Sequence, residues 1–206
     1  MTLTLVIIII TSAFSLMAMN NQELFNKTMY VPYKVYHNKE YYRLFTHALL
    51  HSGWLHLFVN MYVLYVFGSA AEQFFNSYKP VSGSFSYGLL YLGGIFFATL
   101  PALKKQRDNF LYSSVGASGA VSAVLFSCIA FYPTMPIVFI FFPIPMPAFI
   151  FGVIYLFYEA YMDKRGSDYV AHDAHYYGAI FGVLFTFISV PASFLNFFAQ
   201  IYNYLT

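Results

Sequence analysis

Charge is scarce in this chain. Asp, Glu, Lys and Arg make up 9% of its 206 residues, while 60% are hydrophobic and the mean hydropathy is +0.62. Such a balance excludes a soluble domain of this length, which would carry about 25% charged residues. The few Lys and Arg form no basic run suited to nucleic acid. Cysteine is nearly absent: Cys128 is the only one, so there is no internal disulfide framework, and its apolar surroundings point to core packing. Internal repeats, a nucleotide-binding glycine loop and an HExxH metal motif are all missing. The apolar runs do not alternate with polar residues, which excludes the strands of a membrane barrel.

What is present is continuous apolar sequence. A membrane-spanning helix needs roughly 20 mostly apolar residues, and six such segments lie near Leu3–Met19, Trp54–Phe75, Phe85–Leu103, Ser114–Tyr132, Ile137–Tyr158 and Ala174–Leu195. The fold expected is an all-α polytopic membrane bundle, one domain over residues 1–206 with no soluble appendage. The first segment lacks the basic leader of a secretion signal and reads as a retained span. The connection from Asn20 to Gly53 is rich in tyrosine and mixed in charge, which suits a structured loop at the headgroup zone rather than a flexible linker.

Polar residues inside such a chain demand a reason, because burying them unpaired costs a few kcal/mol each. Successive spans alternate in direction, so the second, fourth and sixth enter from one face. His56, Ser118 and His175 each lie near the start of one of these, at similar shallow depth. If the fourth helix begins at Ser118, about 14 residues remain before Tyr132-Pro133, too few to cross a ~30 Å core. Its start then lies beneath a water-accessible recess, which a hydrolase in lipid requires. Small residues (Gly116, Ala117, Gly119, Ala120, Ser122, Ala123) on the fourth span and the Gly178/Gly182 step on the sixth allow close backbone approach. A serine hydroxyl and an imidazole on those helices can then come within reach for general-base chemistry. His56 and Asn60, spaced i, i+4, share a helix face; with the Ser118 backbone N–H they can hold an oxyanion. His47 and His51, also i, i+4, offer either a metal site with His56 or, better, order in the loop above the site.

These residues resemble the rhomboid intramembrane serine proteases, from about Tyr42 to Phe187. The segment Arg43-Leu-Phe-Thr-His47-Ala-Leu-Leu-His51, continued to His56 and Asn60, is similar to the family's first-loop and second-span signature. Gly116-Ala-Ser118-Gly119 is similar to its GxSG motif, and Ala174-His175-Tyr-Tyr-Gly178-Ala-Ile-Phe-Gly182 to its AHxxGxxxG motif. The resemblance implies six spans, a Ser118 nucleophile with His175 as base, oxyanion donors at His56, Asn60 and Ser118, and a serine turn set by Gly116 and Gly119. It makes Glu72 a structural acid at the far end of the second span. It implies hydrolysis in or near the transmembrane segment of a single-span substrate in a bilayer, after a small residue, with no metal or organic cofactor. A bacterial inner (plasma) membrane is the expected location. Asp173 is not expected as a third catalytic member, since an i, i+2 neighbour of His175 points to another face.

Departures from the family pattern are Tyr42-Arg43 in place of Trp-Arg, and Ser122 where many relatives carry a tyrosine one turn after the nucleophile. Tyr176 or Phe181 could replace that ring. Family topology puts Lys27, Lys34, Lys39, Arg43, Lys104, Lys105, Arg107, Lys164 and Arg165 outside and only Lys79 inside; the positive-inside rule taken alone predicts the inverse. Pro143, Pro145 and Pro147 are expected to interrupt the fifth span, which the resemblance makes the border of a lateral substrate opening. Two rival readings are a rhomboid-like binder that does not cut and a small transporter. The serine and histidine oppose the first, and the lack of a carboxylate deep in a span opposes the second.

Overall fold

The computed structural model describes residues 1–139, 142–166 and 170–206. It is a helical bundle: α1 (Leu3–Met19), α2 (Gln22–Thr28), α3 (Pro32–His37), α4 (Arg43–Thr46), α5 (Trp54–Val63), α6 (Ser69–Tyr78), α7 (Gly83–Gln106), α8 (Ser118–Phe131), α9 (Ala148–Arg165), α10 (His172–Ser189) and α11 (Pro191–Leu205). A π-helical turn, Leu64–Gly68, joins α5 to α6 in one rod. By length and composition Trp54–Tyr78 and α7 can each cross a membrane, and α10 with α11, bent by 113°, gives a third. The shorter α1 and α8 are also apolar. α9 carries Glu159, Asp163, Lys164 and Arg165 in its last two turns.

Small residues put α8 at the centre. Every residue from Gly119 to Phe131 is buried, and the helix is 14 residues long, about 21 Å. A Cβ on Gly178 would stand 2.1 Å from the Gly119 carbonyl oxygen, and one on Gly182 would stand 2.1 Å from that of Ala123. The two glycines of α10 therefore lie directly on the backbone of α8, as small-residue steps permit. On the other side, a Cβ on Gly94 of α7 would meet Ala123 Cβ at 2.9 Å. Cys128 sits in the core and its Sγ donates to the Phe67 carbonyl at 3.2 Å, an acceptor within the π turn.

The far end is closed by Glu72. Its carboxylate accepts from Leu3 N (2.8 Å), Thr4 N (2.9 Å) and Thr4 Oγ1 (2.8 Å), so it caps the amino terminus of α1, where a negative charge also suits the helix dipole. Glu72 and His56 are 16 residues apart on one rod, about 24 Å, so α1 starts on the face opposite His56.

Two expected spans need correction. The fifth does not run from Ile137 to Tyr158: Pro136–Phe139 (β1) and Phe142–Pro147 (β2) form an antiparallel ribbon, and the helix begins at Ala148. Pro143, Pro145 and Pro147 recur every second residue, which fits a ribbon strand whose alternate N–H groups face away from its partner. They precede the helix and do not interrupt it. The sixth ends at Ser189, not Leu195, because Pro191 cannot continue it and instead opens α11 at its first turn.

Candidate active site

The loop between α1 and α5 is structured, as its composition predicts. Arg43 is buried; Nη1 donates to the carbonyls of Asn26 (3.0 Å) and Met29 (2.7 Å), and Nε to Glu40 Oε2 (2.5 Å). His47 Nδ1 donates to the Arg43 carbonyl at 3.0 Å, and the His47 carbonyl accepts from Gly116 N at 3.0 Å. Tyr30 and Ser114 exchange two backbone hydrogen bonds of 3.0 Å. The loop thereby holds the segment that leads into Ser118. Burial pushes His47 down to about 4, against the raising effect of its hydrogen bond to Arg43. His51, pushed down to about 3 by burial and then by nearby His56, is anchored through Nδ1 to Ser15 Oγ at 2.8 Å. Since that hydroxyl donates to Leu49 O, Nδ1 is the protonated nitrogen. The two histidines order the loop rather than gather around an ion with His56.

Gly116 has φ +126, a conformation that favours glycine, and a Cβ there would lie 2.9 Å from His56 Cε1 and 3.0 Å from Nε2. The turn thus brings the His56 ring against the residues just before Ser118. His56 Nδ1 accepts from Ser52 N (3.4 Å) and lies 3.0 Å from Ser52 Oγ, which leaves the proton on Nε2, the nitrogen beside the turn. Asn60 is buried and donates from Nδ2 to the His56 carbonyl at 2.9 Å, leaving its second N–H. Ser118 is the first residue of α8, where backbone N–H groups have no partner within the helix.

Ser118 Oγ lies 2.7 Å from His175 Nε2. The hydroxyl can donate to Nε2 when the ring proton sits on Nδ1, the nitrogen that meets the Glu159 carboxylate at 3.2 Å. Alongside is a cavity of about 30 Å³, room for a water or two, bordered by His47, Gly116, Ser118, Asp173 and Ala174 among others. Asp173 does not face the ring: its Oδ1 accepts from Ala174 N at 2.8 Å and its Oδ2 is 3.8 Å from Lys105 Nζ.

Two neighbours of this pair escaped the sequence. Ser122 Oγ meets Tyr155 OH at 2.8 Å, so a tyrosine from α9 reaches the position one turn past Ser118. The expected substitutes lie elsewhere, Tyr176 against Tyr177 and Phe181 stacked on Phe97. Glu159, buried on α9, places Oε1 3.2 Å from His175 Nδ1 and Oε2 2.5 Å from His172 Nδ1. The expected fifth span stops at Tyr158, but the helix runs to Arg165 and carries Glu159 buried within it, so the expected lack of a carboxylate within a span does not hold. Among the described residues, Glu159, His172 and His175 are the one group whose ligand atoms come within 4.8 Å of each other. Ligands around a tetrahedral zinc stand about 3.3 Å apart at Zn–N distances of ~2.05 Å. A direct 2.5 Å contact is a hydrogen bond, so the trio reads as a hydrogen-bonded network.

Sequence comparison gives these residues a family. The Rhomboid domain matches residues 38–192. RHOMBOID-like protein 6, mitochondrial, of Arabidopsis thaliana is 38% identical over 93 residues, 45% of this chain and 27% of that protein. RHOMBOID-like protein 12, mitochondrial, of the same plant is 25% identical over 167 residues, 77% of this chain and 49% of that protein. The chain therefore spans about a quarter and about half of these relatives, respectively. Both are named mitochondrial, so the expected bacterial plasma membrane finds no support, although the apolar helices and the matched domain make this an integral membrane protein. From the GxSG turn to the glycine step of α10, the chain belongs to the rhomboid family.

Proposed function

We propose that this chain is an intramembrane serine endopeptidase, a single domain of six spans that cleaves peptide bonds in or near the transmembrane segment of a single-span protein. The observation that carries this reading is the 2.7 Å contact between Ser118 Oγ and His175 Nε2 at the half-buried start of a short helix. His175 Nε2 takes the Ser118 proton as Oγ bonds the scissile carbonyl carbon. The oxyanion that forms sits among the Ser118 backbone N–H, His56 Nε2–H and the second N–H of Asn60, each such donor contributing around 3 kcal/mol. The C–N bond breaks as Nε2 returns its proton to the leaving amine, leaving an acyl-enzyme on Ser118. Water from the cavity then gives a proton to Nε2 as its oxygen bonds the acyl carbon, and the C–Oγ bond breaks as Nε2 returns that proton to Ser118 Oγ and the carboxylic acid leaves. No metal or organic cofactor takes part.

The opposing reading is a rhomboid-like protein that binds membrane proteins without cutting them, favoured only by the absence of a tyrosine at residue 122. The test is cleavage of a generic single-span substrate in liposomes by the parent, Ser118→Ala and His175→Ala. Cleavage by the parent and by neither variant supports the protease. A parent inert on several substrates supports the binder, and cleavage that survives Ser118→Ala removes the serine mechanism.

A further inference from the structure

We infer that Glu159 is a positioning residue for His175, so that the site works as a Ser–His–Glu triad whose third member comes from α9. The inference rests on the protease reading for its kinetic consequence and on geometry alone for its structural one. Glu159 Oε1, which as a carboxylate oxygen can only accept, lies 3.2 Å from His175 Nδ1, so the neutral ring carries its proton on Nδ1 and Nε2 accepts from Ser118 Oγ at 2.7 Å. The carboxylate is itself fixed: the other oxygen, Oε2, accepts from His172 Nδ1 at 2.5 Å, and the side chain is 5% exposed. With both oxygens engaged it cannot rotate away from either ring. A carboxylate so held selects the tautomer in which Nε2 is the base, keeps the ring plane aimed at Ser118, and stabilises the imidazolium formed when Nε2 takes the serine proton, the logic of an Asp or Glu behind a catalytic histidine.

The burial of Glu159 supports the same conclusion. A carboxylate carried on an apolar helix and buried in the bundle is costly unless satisfied, and here the charge is met by two imidazole N–H groups rather than by a cation. Lys105 is taken by Asp163 at 2.8 Å and lies 3.8 Å from Asp173. Asp163 is exposed and Asp173 borders the cavity, whereas Glu159 meets His175. His172 stands one turn before His175 on α10, and its ring also packs edge-on against Tyr158, so it steadies the carboxylate without touching Ser118.

The test compares the parent, Glu159→Ala and the near-isosteric Glu159→Gln in liposomes, with unfolding temperatures measured for each and kinetics run well below the lowest of them. Glu159 touches no substrate, so the expected signature is a fall in kcat with KM unchanged. Glu159→Ala should lose at least about 10²-fold, below the ~10⁴-fold that an isosteric amide in place of a triad carboxylate costs. Glu159→Gln should fall as well, because an NH2 turned toward Nδ1 holds the tautomer in which Nε2 carries the proton and cannot act as base. A second readout is independent of cleavage. Nitrogen-15 NMR of imidazole-labelled protein, with His175 assigned through His175→Ala, should show protonated Nδ1 and bare Nε2 in the parent and a mixture of tautomers in Glu159→Ala. Parental kcat in both Glu159 variants, or a tautomer that does not respond to Glu159→Ala, overturns the inference. Cleavage that survives Ser118→Ala instead overturns the protease reading while the NMR result still decides the role of Glu159.

Discussion

Gly178→Ala should disable the Ser118–His175 pair without touching either residue. A Cβ at position 178 would stand 2.1 Å from the Gly119 carbonyl oxygen, 2.9 Å from its carbon and 3.2 Å from its Cα. Ordinary C···O contact begins at about 3.3 Å, and a backbone carbonyl on a buried helix cannot turn aside, so α10 must retreat from α8 by about 1 Å. His175 lies three residues earlier on the same helix, about 4.5 Å along the axis, and moves with it. The 2.7 Å contact then opens to about 3.7 Å, beyond the range for proton transfer. A misplacement of this size costs on the order of 10²-fold in rate, and the overpacking costs about 1–3 kcal/mol of stability. Gly182→Ala is the control: its Cβ would meet the Ala123 carbonyl at the same 2.1 Å, but it sits seven residues from His175, about 10 Å. Both variants should unfold at similarly lowered temperatures, while kcat in liposomes falls far more for Gly178→Ala. Parental kcat in a destabilised Gly178→Ala, or equal rate losses in the two variants, would refute the reasoning.

Glu72→Ala removes the acceptor of three hydrogen bonds at the start of α1 and should cost about 3 kcal/mol in unfolding measurements, while kcat of the folded fraction stays parental because the site lies about 24 Å away. Asp173→Asn keeps an acceptor for Ala174 N and should leave kcat near parental; a hundredfold loss would make Asp173, not Glu159, the partner of His175. Burial lowers His47 to about 4 and His51 to about 3 from an ordinary 6.5. The unfolded chain therefore binds protons below pH 6.5 that the folded loop refuses, and stability should fall from pH 6.5 toward 4. Replacing His47 by Gln should flatten that decline in pH-dependent unfolding curves, and an unchanged slope would refute it.

The sequence makes the core of the site legible because each motif residue is set by backbone geometry. Gly116 sits at positive φ against His56, Ser118 opens α8, and Gly178 and Gly182 lie on carbonyls of α8. The 14-residue length of α8 follows from small residues ending at Tyr132-Pro133. Long-range pairings are what it hides. The resemblance makes Glu72 only a structural acid; its place as the cap of α1 is hidden, since nothing local links residue 72 to residues 3 and 4. Hydropathy alone cannot separate an apolar ribbon from an apolar helix, so the Pro143-Ile-Pro145-Met-Pro147 run reads as part of a span. A fifth span from Ile137 to Tyr158 stops one residue short of Glu159, whereas the helix runs from Ala148 to Arg165. The signal is there: Tyr155 and Glu159, spaced i, i+4 on one face of the helix, mark a polar stripe that needs partners.

That stripe changes what α9 does. In relatives with a tyrosine one turn after the nucleophile, the ring travels with the serine on a single helix. Here Tyr155 reaches Ser122 on α8 and Glu159 reaches His175 on α10, so both contacts depend on where α9 stands. Moving α9 outward by about 1 Å would stretch the 3.2 Å link to His175 beyond hydrogen-bonding range at the same time as it breaks the contact to Ser122. A substrate helix admitted by displacing α9 would thus find an imidazole no longer held by its carboxylate. One admitted along α5, whose outer residues Trp54, Leu55, Phe58 and Tyr62 are exposed and apolar or aromatic, would leave the contact between Glu159 and His175 intact. On the protease reading, α9 must therefore be seated when the peptide bond reaches Ser118, whichever way the substrate enters.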